Sequence, residues 1–203
     1  MKKILYLLSF VLFSFLFSNA QDAVNYQQPP KEIADLLLAK PTPTVSIDSK
    51  GDWMLFMERN SYPTVEELGQ PEIRVAGLRL NPNNFSPSRQ VYTNNIWLKN
   101  IKTKKEFKLI GLPANLQASN FRWNNAETKI AFTNTTSSRV DVYVITIAAQ
   151  TVAKVNTKPL NVVLGNSLSW LDDNALLYKV AVSAASAAPK KPITPKGPAV
   201  QQN

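Results

Sequence analysis

The sequence predicts an all-β protein, namely an incomplete β-propeller of about two and a half four-stranded blades with a short N-terminal helix and a helical insert. The first observation is an internal repeat, because residues 95–109 align without a gap with residues 141–155, 46 positions further along the chain. In each copy a strand-like run is followed by a polar turn and a second strand, and a period of about 40–50 residues is typical of propeller blades. The aligned apolar positions are Ile96, Trp97, Leu98 and Ile101 in the first copy and Val142, Tyr143, Val144 and Ile147 in the second.

The second observation is a pattern that occurs three times, in VSIDSKGDWMLFME from Val45, FRWNNAETKIAFTN from Phe121 and LSWLDDNALLYKV from Leu168. Each segment has the end of a strand, a polar turn with Asp or Asn, and an alternating second strand. Asp and Asn suit such turns because their short side chains bond the nearby backbone. Trp123 and Trp170 lie 47 positions apart and are predicted to end the first strands of successive blades.

The strand pattern assigns residues 43–182 to blades. The first blade spans 43–110 with an insert at 60–92, the second spans 118–156, and residues 167–182 supply half of a third. Because propellers close with about four to eight blades, we expect the propeller in this chain to be incomplete. A β-sandwich of short strands is the alternative, since it also produces turns at regular spacing.

Residues 1–20 have the features of a signal peptide. Lys2 and Lys3 form a positive start, residues 4–17 are apolar, and small residues precede Gln21. The apolar run is shorter than the roughly 20 residues that a membrane-spanning helix needs. We therefore predict cleavage before Gln21 and export to the periplasm or the medium. The chain has no cysteine, which excludes disulfide bonds and a lipid anchor on cysteine.

Residues 21–42 are predicted to be a helical lead-in to the first blade. Pro30 suits the first turn of a helix, and Pro41 prevents the helix from continuing. We expect the apolar face of this helix to pack against the body of the protein rather than against a membrane. The residues that form this face at helical spacing are Ile33, Leu36 and Leu37.

The insert at 60–92 contains a predicted short helix and a long loop. Thr64 and Glu67 have the spacing of a capping box, and Gly69 is expected to end the helix. An insert of this length inside a blade is more often functional or interface-forming than idle. Its arginines either meet a substrate carboxylate or contact a neighbouring domain, and the second interpretation is favoured. They are predicted to lie in the loop: Arg74, Arg79 and Arg89.

The basic charge of the chain does not predict nucleic-acid binding. Removal of Lys2 and Lys3 with the signal lowers the formal net charge from +9 to +7. Lysine on an exposed hairpin commonly prevents unwanted strand pairing, and an exported protein rarely meets nucleic acid. The lysines concentrated around one predicted turn are Lys99, Lys102, Lys104, Lys105 and Lys108.

No catalytic, cofactor-binding or metal-binding residue is predicted. The chain has no histidine, so a Ser-His-Asp or Cys-His site cannot form within it, and it has no GxSxG, HExxH or phosphate-binding motif. The acidic pairs Glu66-Glu67 and Asp172-Asp173 are better explained as a helix cap and a turn than as acid–base pairs. We do not expect this chain by itself to be an enzyme.

Three stretches resemble the N-terminal propeller of glutamyl peptidases, in the prolyl oligopeptidase (S9) group of serine peptidases. They are PPKEI at 29–33, PTVEELGQPEIRVAGLR at 63–79 and KKPITPKGPAVQQN at 190–203. The resemblance covers nearly all of the mature chain. It implies that residues 183–203, a Pro/Lys-rich linker or truncated loop, lie inside a propeller blade of a longer protein.

The resemblance further implies that the propeller gates and supports an α/β-hydrolase domain, which carries the catalytic triad and lies downstream in the same protein. The substrates would be peptides cleaved at acidic residues, and nucleic acid and, after signal removal, membrane would not be partners. The alternative is a stand-alone periplasmic propeller that binds protein partners and is similar to TolB-like modules.

Overall fold

The computed structural model describes residues 29–181. The predicted signal peptide, the beginning of the lead-in and the predicted linker at 183–203 lie outside these residues. The helices are α1 (Lys31–Leu38) and α2 (Val65–Leu68). The strands are β1 (Thr44–Ile47), β2 (Trp53–Glu58), β3 (Ile73–Val75), β4 (Leu78–Asn81), β5 (Ser86–Pro87), β6 (Asn95–Asn100), β7 (Glu106–Lys108), β8 (Ala118–Trp123), β9 (Lys129–Thr135), β10 (Val140–Thr146), β11 (Thr151–Lys154), β12 (Leu168–Trp170) and β13 (Leu176–Tyr178).

Helix α1 lies in a separate compact unit of the chain, which ends at Ala39. It follows Pro30, as predicted, and ends before Pro41. Its apolar positions fall on one side at helical spacing. The packing of this helix against the body of the protein stays a prediction.

The fold from residue 40 onward is mostly β, with antiparallel sheets, as the sequence predicts. We call β1-β2-β6-β7 the first sheet, β8-β9-β10-β11 the second sheet, β12-β13 the strand pair and β3-β4-β5 the insert sheet. In the first and second sheets each strand pairs with the next one along the chain, apart from the insert between β2 and β6. The strands of the first sheet, the second sheet and the strand pair lie within residues 43–110, 118–156 and 167–182, where the sequence predicts strands. The insert sheet lies within residues 60–92.

Strand β9 of the second sheet is covered on both faces, and this explains why nearly all of its residues are buried. Side chains in β9 alternate between the two faces, as in any strand. Ile130 and Phe132 contribute to a core shared with the first sheet, whereas Ala131 contributes to a core shared with the strand pair. Residues 130–135 are consequently all buried. A strand buried on both faces does not need the apolar–polar alternation of a half-exposed strand.

Trp123 and Trp170 each donate an indole hydrogen bond to the preceding sheet. Trp123 ends β8, and its indole Nε1 donates to the hydroxyl of Ser46 in β1 at 2.8 Å. Trp170 ends β12, and its Nε1 donates to the carbonyl oxygen of Arg122 in β8 at 2.8 Å. Ser46 and Arg122 stand at corresponding positions, each two residues before the Asp or Asn of the following turn. Trp123 and Trp170 thus each end the first strand of their sheet, as the sequence predicts.

The turns after β1 and β8 have the same internal bonding. The carboxylate Oδ1 of Asp48 accepts from the backbone N–H groups of the residues four and five positions later, at 2.7 and 3.0 Å. The amide Oδ1 of Asn124 accepts from the corresponding two groups at 2.9 and 2.8 Å. Each turn also bonds the next one, since Glu127 accepts from Ser49, and Asp173 accepts from the N–H of Ala126.

One buried carboxylate joins β10 to β11 and to the residues that follow β11 in the second sheet. Asp141 in β10 accepts hydrogen bonds from Arg139 at 2.7 Å, from Lys154 in β11 at 3.0 Å and from Asn156 at 3.0 Å. Burial by itself would raise the pKa of Asp141, but the bonds from Lys154, Arg139 and Asn156 outweigh it, so that the pKa lies below its usual value. The folded protein therefore favours the ionised carboxylate.

Replacing Asp141 by asparagine should destabilise the protein by roughly 1–3 kcal/mol at neutral pH, because charge-assisted hydrogen bonds are lost. Because the folded pKa is depressed, the stabilisation by Asp141 is fully present above the unfolded pKa of about 3.9 and disappears as pH falls through the lower folded pKa. Urea unfolding between neutral and acid pH measures both effects. Glu106→Gln, which removes an exposed ion pair, is the control and should cost less than about 1 kcal/mol. Equal costs for the two variants would contradict the prediction.

Candidate functional site

The insert between β2 and β6 is a folded element. It contains α2, whose capping box is present as predicted: the Glu67 N–H donates to the Thr64 hydroxyl, and the Thr64 N–H donates to the Glu67 carboxylate. Gly69 ends this helix. The prediction that the arginines lie in a loop is wrong for Arg74 and Arg79, which lie on β3 and β4 of the insert sheet.

The sequence of the insert sheet carries a local hairpin signal that lies outside the blade repeat. Ile73 and Val75 alternate with polar residues before Ala76-Gly77, and the alternation resumes with Leu78. Ala76 and Gly77 both have positive φ, at 47° and 85°, as a two-residue hairpin turn of type I′ requires. Strands of three and four residues are too short for their period to be recognised with certainty.

The three insert arginines converge on one carboxylate. Oε1 of Glu72 accepts from Arg74 Nε at 3.2 Å and from Arg79 Nη1 at 2.8 Å. Oε2 of Glu72 accepts from Arg89 Nε at 3.1 Å. The Glu72 side chain is 17% exposed, whereas those of the arginines are 40–68% exposed. We call these four residues the arginine cluster.

Electrostatics keep Glu72 ionised. Partial burial would raise the pKa of its carboxyl, but the hydrogen bond from Arg74 and the charges of Arg79 and Arg89 lower it below its usual value. Arg74 and Arg79 are directly opposite each other in the β3–β4 register, where like charges are unfavourable. Glu72 offsets this repulsion, and the cluster keeps an excess of positive charge.

A cleft of about 770 Å³ lies between the insert and the ends of the strands beside it. Its walls include carboxylates, guanidinium groups, amides and hydroxyls, and its volume is within the usual range of ligand pockets. Glu72 and Arg89 of the arginine cluster line it. Buried polar side chains in its wall are Asn81, Asn84, Ser86 and Thr135.

Bonds between the insert and the second sheet fix the shape of the cleft. Asn84 Nδ2 donates to the carbonyl oxygen of Thr136 at 2.8 Å, and Gln117 Nε2 donates to Glu67 at 3.2 Å. Tyr92 lines the same wall, and burial raises the pKa of its phenol although Thr135 and Ser86 bond it. The cleft can therefore offer both charged and neutral hydrogen-bonding groups to a ligand.

Three residues of the acidic pairs noted in the sequence, Glu67, Asp172 and Asp173, have structural roles, and Glu66 lines the cleft. Glu67 belongs to the capping box and also bonds Gln117. Asp172 accepts from two backbone N–H groups of its own turn, and Asp173 bonds the preceding turn.

A second open region lies beside the strand pair, where a groove of about 400 Å³ runs between β13 and the face of β10 and β11. In the part of the chain that the structure describes, β13 pairs with β12 alone. Leu177 on β13 is 63% exposed, and Leu171 before it is 73% exposed. The apolar and aromatic side chains that line the groove are Val144, Val155, Trp170, Leu176 and Tyr178.

Among residues 29–181, no helix has the length and apolar character needed to cross a membrane. Within the same range, no three His, Cys, Asp or Glu side chains are grouped so that they could hold a metal ion.

The chain is similar to two plant proteins that carry the name "Probable glutamyl endopeptidase, chloroplastic". It is 27% identical over 191 residues to the protein from Arabidopsis thaliana, which is 88% of this chain and 20% of that protein. It is 25% identical over 193 residues to the protein from Oryza sativa subsp. japonica, which is 89% of this chain and 20% of that protein. The chain thus spans about a fifth of the length of these relatives. No family model and no solved structure matches it.

Proposed function

We propose that this chain is the N-terminal propeller part of an exported serine peptidase of the prolyl oligopeptidase group, which cleaves peptides at acidic residues. In this proposal the propeller supports an α/β-hydrolase domain and gates its access to substrate. The observation that carries the proposal is the similarity to two proteins named glutamyl endopeptidase, which extends over almost nine-tenths of the chain. A relationship to peptidases follows from that similarity, whereas the gating role and export are our inference.

The sheets support the propeller part of the proposal. A propeller blade is a four-stranded antiparallel sheet whose strands pair in chain order, and the first and second sheets have this topology. Equivalent tryptophan bonds join the second sheet to the first and the strand pair to the second. We interpret the strand pair as the first half of a third blade.

The groove beside β13 supports the proposal that more blades follow. The third strand of a third blade would pair with β13 and the fourth with the third, and together they would cover the apolar residues Val144 on β10 and Val155 just after β11. Exposed apolar surface of this kind is typical of an interface. The same groove would then be an interior region of the complete propeller.

The coding DNA beyond the codon for Asn203 tests this proposal. We expect an open frame that continues through further blades into a GxSxG motif followed by Asp and His, because the relatives are about five times longer than the matched region. The control is resequencing of the flanking DNA, which identifies a frameshift. A stop codon in intact flanking DNA would contradict the proposal.

The second candidate function is a stand-alone module that binds protein partners, and the surface of the insert favours it. Protein interfaces are enriched in aromatic residues and arginine, and the insert combines its arginine cluster with exposed apolar groups. The large apolar side chains of the insert that are exposed are Tyr62, Val65, Leu68, Ile73, Val75, Leu78, Phe85 and Val91.

A further inference from the structure

The outer edge of β3 is open among the described residues, because β3 pairs with β4 alone. In a hairpin closed by the two-residue turn Ala76-Gly77, the pair next to the turn is hydrogen-bonded, and Arg74 and Arg79 form the following non-hydrogen-bonded pair. The carbonyl of Arg79 agrees with this pattern, since it accepts from the N–H of Ser88 at 2.9 Å on the side away from β3. By the same alternation, the main-chain N–H and C=O of Arg74 face outward from the open edge.

The arginine cluster leaves donors for a second carboxylate. Three guanidinium groups and the single carboxylate of Glu72 give a local charge of about +2. The bonds to Glu72 use Nε of Arg74 and of Arg89. Among the hydrogen bonds found within residues 29–181, none uses the Nη groups of these two arginines. Paired N–H groups of a guanidinium are the donors that bind a carboxylate in bidentate fashion.

The two faces of β3 offer different chemistry. Ile73 and Val75 lie on the face opposite Arg74 and are 45% and 51% exposed. Side chains of a strand added to this edge would alternate in the same way, so one of them would lie beside the arginine cluster and its neighbours beside Ile73 and Val75. Main-chain bonds supply affinity and alternate side chains supply specificity in this mode of peptide recognition.

We propose that the open edge of β3 binds an extended peptide that carries a carboxylate side chain opposite Arg74 and apolar side chains on either side of it. The N–H and C=O of Arg74 pair with the main chain of the peptide, and the arginine cluster holds its carboxylate. A charged residue on an edge strand can also serve to prevent pairing. One charge is sufficient to prevent pairing. Here three guanidinium groups bind one carboxylate, and the apolar residues Ile73 and Val75 are exposed on the other face of the same strand. The site lies wholly within the insert, so it can fail without affecting the proposed relationship to peptidases.

Fluorescence anisotropy with the full chain and a labelled peptide of alternating valine and threonine with one central glutamate tests the proposal. We expect the glutamate peptide to bind, and its glutamine counterpart to bind at least about tenfold more weakly. Arg74→Gln should weaken binding of the glutamate peptide to a similar extent. Lys108→Gln, which removes one positive charge from the edge strand β7 of the first sheet, is the matched control and should leave the affinity within about twofold.

Two additional measurements separate binding from folding and from simple anion attraction. Methylation of the peptide nitrogen that would bond the Arg74 carbonyl should abolish binding to the unaltered protein. This measurement uses no protein variant, so a misfolded variant cannot explain its result. Inorganic phosphate should compete only weakly. The proposal is overturned by equal binding of the glutamate and glutamine peptides, by full displacement with phosphate, by indifference to the methyl group, or by no binding of the glutamate peptide up to about 1 mM.

Discussion

Replacing Phe132 by alanine should lower the free energy of unfolding by about 3–5 kcal/mol, the usual cost of deleting a fully buried aromatic side chain. Phe132 has no exposed surface. Its ring stacks between Phe121 at 5.3 Å and Tyr143 at 5.6 Å, measured between ring centroids. Phe132 also belongs to the core between the first and second sheets. The cavity left by its ring would therefore weaken the packing of the two sheets against each other.

Chemical denaturation monitored by circular dichroism measures this cost. The control is Phe85→Ala in the insert, where the aromatic side chain is 43% exposed and truncation should cost less than about 1.5 kcal/mol. A cost below roughly 1 kcal/mol for Phe132→Ala would mean that the two sheets do not share this core.

The second large effect concerns activity. The purified chain should not hydrolyse peptides after glutamate, because it has no histidine to act as general base for a serine. It should also self-associate, because the edge of β13 and the apolar groove beside it are open in the described structure. If the proposed function holds, the same chain extended through the further blades and the hydrolase domain of the proposed peptidase should be monodisperse and active.

Turnover of a glutamate-containing chromogenic peptide and light scattering, both carried out on the two proteins, check this expectation. The control for the assay is the extended protein with the serine of its GxSxG motif replaced by alanine, which should be monodisperse and inactive. Turnover by the short chain alone would contradict the proposal that a separate hydrolase domain carries the catalytic residues. A stable, inactive monomer would favour the stand-alone binding module instead.

The repeating sheets could be predicted because their signals are local. A half-exposed strand of six residues such as β8 shows its alternation, and Asp or Asn in the turns identifies the connection. The capping box of Thr64 and Glu67 could be predicted as well, since both residues lie within one helical turn. These features need no knowledge of distant contacts.

The arginine cluster could not be predicted, since its geometry depends on residues that meet only after folding. Arg74 and Glu72 are close in sequence, but Arg89 reaches the same carboxylate from beyond β5. The hydrogen-bond acceptors of Trp123 and Trp170 could not be predicted for the same reason. The position of Trp123 in its strand follows from the repeat, whereas its bond to Ser46 spans 77 residues.

The tryptophan bond also bears on how such a protein can grow. Each sheet with a tryptophan at the end of its first strand carries a donor for the sheet before it, and the position one residue earlier carries the acceptor for the sheet after it. In the second sheet that acceptor is a main-chain carbonyl, which every amino acid provides. A duplicated gene segment therefore arrives with both halves of its coupling already encoded. Lengthening the array by one unit therefore requires no matched pair of new mutations. Where the acceptor is the main-chain carbonyl, the side chain at that position stays free to diverge.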